Sequence, residues 1–217
     1  MQSTGLIPEE HREHIKTELN EKLQNPVKLL VFTQEVECRF CSETRQLAQE
    51  VAGLNEKITA EVYDFVSNAE KAKEFGVERI PCVVILGEKD YGIRFYGMPY
   101  GFEFKTLLEA LTMASQGRSF LSEDTKAKLA ELKTPAHIRV FVTLTCPHCA
   151  EEARMAYRFA VESDMIRADV FDAAEFPDMA IKYMLVGVPK TVINEKTEFV
   201  GSVPENLFLE QVLAATR

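Results

Sequence analysis

Apolar residues along this chain switch repeatedly between helical and strand spacing. Ile15, Leu19 and Leu23 recur at helical intervals after Pro8, whose missing N–H suits a first helical turn. Glu9 and Glu10 complement the positive end, so residues 8–23 read as an amphipathic helix that Gln24-Asn25-Pro26 ends. The apolar run 27–33 reads as a buried strand, and Leu47, Ala48 and Val51 place a helix over about 39–53, stopped by Gly53. A strand at 58–65, a helix at 68–75, an antiparallel hairpin over 82–96 and a helix at 101–114 follow. The second half repeats that order. It predicts a helix at 122–132, a strand at 137–143, a helix at 147–163 and a strand at 167–172, then a helix at 175–184, a hairpin at 190–201 and a helix at 205–214.

The repetition keeps one register. Cys38-Arg39-Phe40-Cys41 and Cys146-Pro147-His148-Cys149 stand 108 residues apart, as do Ile80-Pro81 and Val188-Pro189. Val62-Tyr63-Asp64 maps onto Val170-Phe171-Asp172, and Phe75-Gly76-Val77 onto Tyr183-Met184-Leu185, at the same offset. Four landmarks in one register mark an internal duplication. Before the cysteines the offset is 109, so the first loop is one residue longer; at Gly97 and Gly201 it is 104, so the first hairpin is longer. The polar stretch Ser115-Gln116-Gly117-Arg118-Ser119 is the expected break, dividing the chain into units 1–117 and 118–217. The expected fold class is α/β: two tandem units, each a central mixed four-stranded sheet flanked by helices.

Composition narrows the chemistry. A chain of 217 residues with 46% apolar and 27% charged residues suits two ordinary globular domains, and no run approaches the roughly 20 apolar residues of a membrane span. The net charge of −9 argues against nucleic-acid or anionic-membrane partners. Residues 1–10 lack a basic start followed by an apolar run, so the expected compartment is the cytoplasm. Five cysteines are too few for a disulfide scaffold, and four of them fall in Cys-X-X-Cys pairs, a use that is catalytic or metal-binding in a reducing cytosol.

Each pair lies between a predicted strand and a predicted helix. That arrangement sets Cys38 and Cys146 at unpaired N–H groups and a positive helix end, which favours thiolate over thiol. Pro147 suits the first helical turn, and His148, while protonated, adds to the effect. Arg39 supplies a permanent charge on a long arm, and Phe40 an apolar substrate contact, though exposed loop filler accounts for either. The first cysteine of each pair is the expected nucleophile, and Cys41 and Cys149 the expected resolving thiols.

Strand, Cys-X-X-Cys, helix, strand, helix, then an X-Pro bond opening a hairpin resembles the thioredoxin fold. Two such units resemble the glutaredoxin-like protein disulfide oxidoreductases of thermophilic archaea and bacteria, also through Asp90-Tyr91-Gly92-Ile93-Arg94-Phe95 and Val186-Gly187-Val188-Pro189-Lys190. Cys146-Pro147-His148-Cys149 is similar to the active pair of the strong oxidase DsbA. The resemblance implies cis prolines at Ile80-Pro81 and Val188-Pro189, facing the cysteines. It also implies dithiol–disulfide exchange that reduces, forms and isomerises protein disulfides, with Gly97 and Gly201 fitting the pattern. Thioredoxins carry a buried acid in the strand before the cysteines, and 27–33 and 138–143 hold none. Of the nearby acids, Glu37, Glu43, Glu151 and Glu152 each read as solvated helix or loop surface. With no G-x-G-x-x-G or Walker loop, no bound cofactor is expected, and electrons are expected from a separate thioredoxin-reductase-like flavoprotein.

Other assignments compete. One is an electron-relay module for a peroxidase, similar to the double-thioredoxin N-terminal part of alkyl hydroperoxide reductase flavoproteins, where one unit alone keeps its Cys-X-X-Cys. Another is a zinc-holding or chaperone-like module, since two C-x₂-C pairs match a common zinc pattern, although 108 residues separate these. A first unit retained as inert scaffold is a third. Cys82 reads as a buried, inert thiol pointing away from the active cysteines. His11 and His14 read as a solvated helix face and His137 as structural, so no metal site is expected.

Overall fold

The computed structural model describes residues 5–217; residues 1–4, which fall within the stretch read above as lacking a leader, lie outside them. The first unit comprises α1 (Glu9–Lys22), β1 (Val27–Thr33), α2 (Cys41–Ala52), β2 (Ile58–Asp64), α3 (Ala69–Glu74), β3 (Cys82–Leu86), β4 (Asp90–Tyr96) and α4 (Phe102–Gln116). The second comprises α5 (Glu123–Leu129), β5 (Ala136–Val142), α6 (Pro147–Glu162), β6 (Ile166–Asp172), α7 (Pro177–Lys182), β7 (Lys190–Ile193), β8 (Thr197–Val200) and α8 (Glu205–Ala215).

Each unit has the expected mixed four-stranded sheet, and the two sheets join edge to edge. The strand order is β2-β1-β3-β4-β6-β5-β7-β8, with β4 and β6 paired in parallel from Ile93↔Ala168 to Tyr96↔Phe171. Because β3 runs antiparallel to both β1 and β4, and β6 parallel to both β4 and β5, strands β1 and β5 point the same way. Both cysteine pairs follow the C-terminal ends of these strands, so they open at one end of the sheet.

One core, including Val31, Leu47, Leu111, Ala153, Phe159 and Phe208, lies under α1, α2, α4, α6 and α8. The other face carries Ala72, Tyr96, Phe171, Met179 and Tyr183 under α3 and α7. The join is polar at one end and aromatic at the other. Arg94 makes a bidentate pair with Asp90, Arg167 does the same with Asp169, and Tyr96 stacks on Phe171 at 4.3 Å. His137 is structural, as expected: its Nε2 lies 2.6 Å from Asp169 Oδ2.

Several boundaries shift. Ser115 and Gln116, expected in the linker, finish α4, and the helix stops at Gly117 (φ 60). A serine is tolerated there because its buried hydroxyl accepts from Gln24 and Asn25 N–H and donates to Asn25 O, so it ties the α1–β1 turn to α4. Helix α2 begins at Cys41 and not near 39. Helix α5 ends at Leu129, short of 132, and α7 spans Pro177–Lys182 where 175–184 was expected.

The start of helix α4 also contacts the loop of the second unit that precedes Cys146. Phe102 N–H donates to Leu144 O at 2.9 Å, which Gly101 permits at φ 58, ψ −130. A Cβ on Gly101 would lie 2.3 Å from Leu144 O. Gly101→Ala is therefore expected to cost on the order of 3 kcal/mol, from backbone strain and this clash, measurable as a lowered urea midpoint.

Candidate active sites

The two pairs share one design. Lys190 opens β7 opposite Phe141 of β5, so Pro189 sits at the end of the sheet where β5 turns toward Cys146. Cys82 opposite Phe32 gives Pro81 the same relation to Cys38. The Ile80-Pro81 and Val188-Pro189 bonds are both cis. Gly97 N–H donates to Pro81 O at 2.9 Å and Gly201 N–H to Pro189 O at 2.8 Å, so the downstream glycines hold equivalent places.

Within each pair the first sulfur is partly open and the second buried. Cys38 and Cys146 are intermediate in exposure, whereas Cys41 is 1% and Cys149 0% exposed. Cys38 and Cys41 form a disulfide with a Cα–Cα distance of 5.5 Å; Cys146 and Cys149 are thiols. Cys146 is the N-cap of α6, and Cys149 N–H donates to its Sγ at 3.3 Å. The expected helix-end contact is formed there. Cys38 stands three residues before α2, whose N-cap is Phe40, so the matching contact is not made at the first pair; Gln34 N–H instead approaches Cys41 Sγ at 3.4 Å.

The flanking residues divide. His148 is exposed, with Nδ1 3.3 Å from Glu151 Oε2. Arg39 lies over the Phe40 ring at 4.9 Å, and Phe40 packs on the core. Cys82 is fully buried on the opposite face, and burial pushes its thiol well up, which keeps it inert.

A carboxylate that sequence reasoning does not single out lies near enough to Cys149 for its charge to act on the thiol, and it comes from the other unit. Glu103, in the first turn of α4, is 0% exposed, and neither carboxylate oxygen has a hydrogen-bond partner. Thr106, one turn on, directs its hydroxyl to Ala150 O at 3.4 Å. Burial pushes the Glu103 carboxyl up to about 7. Burial likewise pushes the Cys149 thiol up, helped by the hydrogen bond to Cys146 and by the Glu103 charge. A buried thiol thus lies within the field of a buried acid whose carboxyl is pushed toward neutrality.

Glu152 corrects an expectation. It is not solvated surface but 0% exposed, accepting from Thr191 Oγ1 at 3.0 Å and Val203 N–H at 3.1 Å, and burial pushes it up to about 7. It struts α6 to β7 and to the segment before α8. Glu43 is also half-buried, with Oε2 unpartnered, whereas Glu37 and Glu151 are exposed as expected. The second unit returns a carboxylate to the first: Glu175 accepts from Met98 N–H at 2.8 Å, beside Gly97, and burial pushes it up to about 7.

A four-thiolate zinc site requires both pairs at one point. Here they follow strands with β3, β4 and β6 between them, and the first pair is a disulfide. Among the described residues no helix is long and apolar enough to cross a membrane.

Fold and sites together define a tandem thioredoxin-fold thiol–disulfide oxidoreductase, and known proteins of that design match the chain. A thioredoxin domain model matches residues 136–214. The structure of a protein disulfide oxidoreductase from Aeropyrum pernix aligns with TM-score 0.90 and 32% identity, covering 96% of this chain and 93% of that one. This chain belongs to the protein disulfide oxidoreductase family. It is also similar to the structure of the alkylhydroperoxide reductase AhpF from Enterococcus faecalis, with TM-score 0.87, 26% identity and coverage of 95% and 99%. The AhpF alkyl hydroperoxide reductase of Pseudomonas aeruginosa is 26% identical over 184 residues, 83% of this chain and 33% of that protein. The chain spans about a third of the length of the first curated relatives it matches.

Proposed function

We propose that both pairs cycle between dithiol and disulfide on protein substrates, in units divided at 1–117 and 118–217, with Cys38 and Cys146 as nucleophiles. The Cys146 thiolate attacks one sulfur of a substrate disulfide; that S–S bond breaks, and the other substrate sulfur leaves as a thiolate. Cys149 gives its proton to Glu103, attacks the Cys146 sulfur and releases the second substrate thiolate. Two electrons pass to the substrate and the pair ends as a disulfide. The reverse sequence forms a substrate disulfide. The observation that carries this reading is the half-open first sulfur backed by a buried thiol and the unpartnered Glu103 carboxylate. Sparse cysteines gathered in two active pairs fit a reducing compartment, the cytoplasm, with a flavoprotein reductase of the thioredoxin-reductase kind as electron source.

Reduction of insulin disulfides and reoxidation of a reduced test protein check the activity; failure of both sinks the reading. The second pair is expected to be the stronger oxidant, because Cys146 is a helix N-cap with a backbone N–H on its sulfur and Cys38 is not. Equilibration of Cys38→Ser/Cys41→Ser and Cys146→Ser/Cys149→Ser with glutathione measures this, and a more oxidising first pair reverses the ranking.

A second reading, electron relay to a peroxidase, has the AhpF likeness in its favour. Reduction of a peroxidase disulfide by the pre-reduced chain, faster than that of insulin, is its test.

A further inference from the structure

The turns that follow β2 and β6 are copies of one another, and they end differently. Asn68 N–H donates to Asp64 O at 2.9 Å and Phe176 N–H to Asp172 O at 3.2 Å, so residues 64–68 and 172–176 correspond at the offset of 108. In the first copy the turn closes on itself. Asp64 Oδ1 accepts from Ser67 N–H and from Ser67 Oγ, both at 2.8 Å, and both residues are exposed because β2 is an edge strand. In the second copy β6 lies between β4 and β5, and Glu175 stands where the first copy has Ser67. Its carboxylate leaves its own turn and accepts from Met98 N–H of the first unit at 2.8 Å.

Met98 follows Gly97, whose N–H donates to Pro81 O at 2.9 Å, so Glu175 is held one residue from the hydrogen bond that fixes the proline loop of the first site. A second contact reaches the same loop from α7, where Asp178 Oδ2 pairs with Arg79 Nη1 at 2.7 Å, two residues before Pro81. These contacts run one way. A Cβ on Gly97 would lie 3.1 Å from both Asp172 Cβ and Glu175 Oε1, whereas one on Gly201, the equivalent glycine beside Pro189, would meet nothing within 4 Å. Arg79 has Gly187 as its equivalent, which carries no side chain to pair. The charges that act on Glu175 also belong to the first site. Burial pushes its carboxyl up to about 7 against the Met98 hydrogen bond; Asp172 adds to the rise, Arg39 opposes it and Glu43 adds again. Arg39 follows Cys38 directly, and Glu43 lies in the first turn of α2, two residues beyond Cys41.

We propose that Glu175 of the second unit is a positioning residue of the first active site: it steadies the Pro81–Gly97 corner, and its ionised carboxylate holds Cys38 back from the thiolate form by offsetting the charge of Arg39. A negative charge near a thiol disfavours the thiolate, and a pair whose reduced form is less stabilised is the weaker oxidant. The first pair therefore loses oxidising power as Glu175 ionises. Ser67 could not take this part in the first copy, because a serine carries no charge and β2 has no second unit beside it. The first site is thus complete only when the second unit is docked against it. The inference rests on Cys38 being the attacking sulfur of the first pair.

The test uses the full chain as Cys146→Ser/Cys149→Ser, with and without Glu175→Gln, equilibrated with glutathione on either side of the Glu175 titration, at about pH 5.5 and about pH 8. Glutamine keeps an oxygen to accept from Met98 N–H and removes only the charge, and losing a buried charge does not weaken the fold. At the higher pH the equilibrium constant for reduction of the first pair is expected to rise about threefold in the variant, the size of a partly screened like-charge effect at a half-open sulfur. At the lower pH, where the parent's Glu175 carries its proton, the two are expected to coincide. The same substitution in Cys38→Ser/Cys41→Ser is expected to move the second pair less than about 1.5-fold. An equal shift at both pH values marks a purely structural effect and overturns the inference, as do an unchanged first pair at the higher pH and an equal shift of the second pair. A parent whose first pair does not exchange with glutathione overturns the redox role of Cys38 instead, and the inference with it.

Discussion

Replacing Cys149 with serine, in a chain whose first pair is also Cys38→Ser/Cys41→Ser, is expected to leave the protein covalently attached to its substrates. Cys146 stays half-open, with its N-cap position and the residue 149 N–H intact, so attack on a substrate disulfide proceeds. The adduct cannot be resolved because a hydroxyl at 149 does not attack the Cys146 sulfur, so the mixed disulfide stays unbroken. Adducts that survive on non-reducing gels and collapse with dithiothreitol are the expected product. Cys146→Ser is expected to give none, since the remaining thiol is 0% exposed and pushed up by burial. Adducts in the Cys146 variant and not in the Cys149 variant would exchange the two roles.

Glu103→Gln is expected to slow the chemistry and strengthen the fold at once. With no acid to accept the Cys149 proton, release of the mixed disulfide is expected to fall about a hundredfold, within the range typical of a lost general base, while adduct formation at Cys146 is unaffected. The stability effect follows from linkage. The unfolded carboxyl titrates near 4.5 and the folded one near 7, so between those values the folded chain holds the extra proton and stability declines as pH rises. Glutamine removes that decline. Wild type and variant are expected to match below pH 4.5, with the variant ahead by about 3 kcal/mol above pH 7. Denaturant melts across that window check the sign, and quenched-flow trapping of the adduct checks the rate. Unchanged release kinetics would reduce Glu103 to a buried charge without a task.

Much of the fold is legible in the sequence because it is written twice. Period-2 and period-3.6 patterns place every strand and helix in order, and the shared offset ties Cys38 to Cys146 and Pro81 to Pro189. The β4–β6 join leaves no such trace, since pairing between strands of different repeats imposes no local pattern on either. The pattern starts helix α2 too early because Arg39 and Phe40 break no helical rule, although the helix begins only at Cys41.

Glu103 escapes the sequence pattern for a different reason. An acid in the first turn of a helix has a sufficient explanation in the helix dipole, which hides any second role. Yet Glu103, Leu107, Ala110, Leu111 and Ala114 fall on one buried stripe of α4, and Glu152 shares one with Cys149, Ala153 and Ala156 on α6. A carboxylate in phase with an apolar stripe is the available signal.

The join between the units also bears on how large such a molecule can grow. It is a head-to-tail contact: β4, the last strand of the first unit, meets β6, whose repeat equivalent is β2. The strands left at the two ends of the sheet are β2 itself and β8, the equivalent of β4, so the free edges form the same complementary pair. Contacts of this type, repeated between molecules, close into rings or run on as filaments according to the rotation between neighbours. The second hairpin acts as a terminator. It is the one shortened in the duplication, leaving β8 with Thr197–Val200 where β4 has Asp90–Tyr96, and Glu198 stands in the middle of it. A four-residue, charge-bearing edge presents few free N–H and C=O groups on which a further strand could pair.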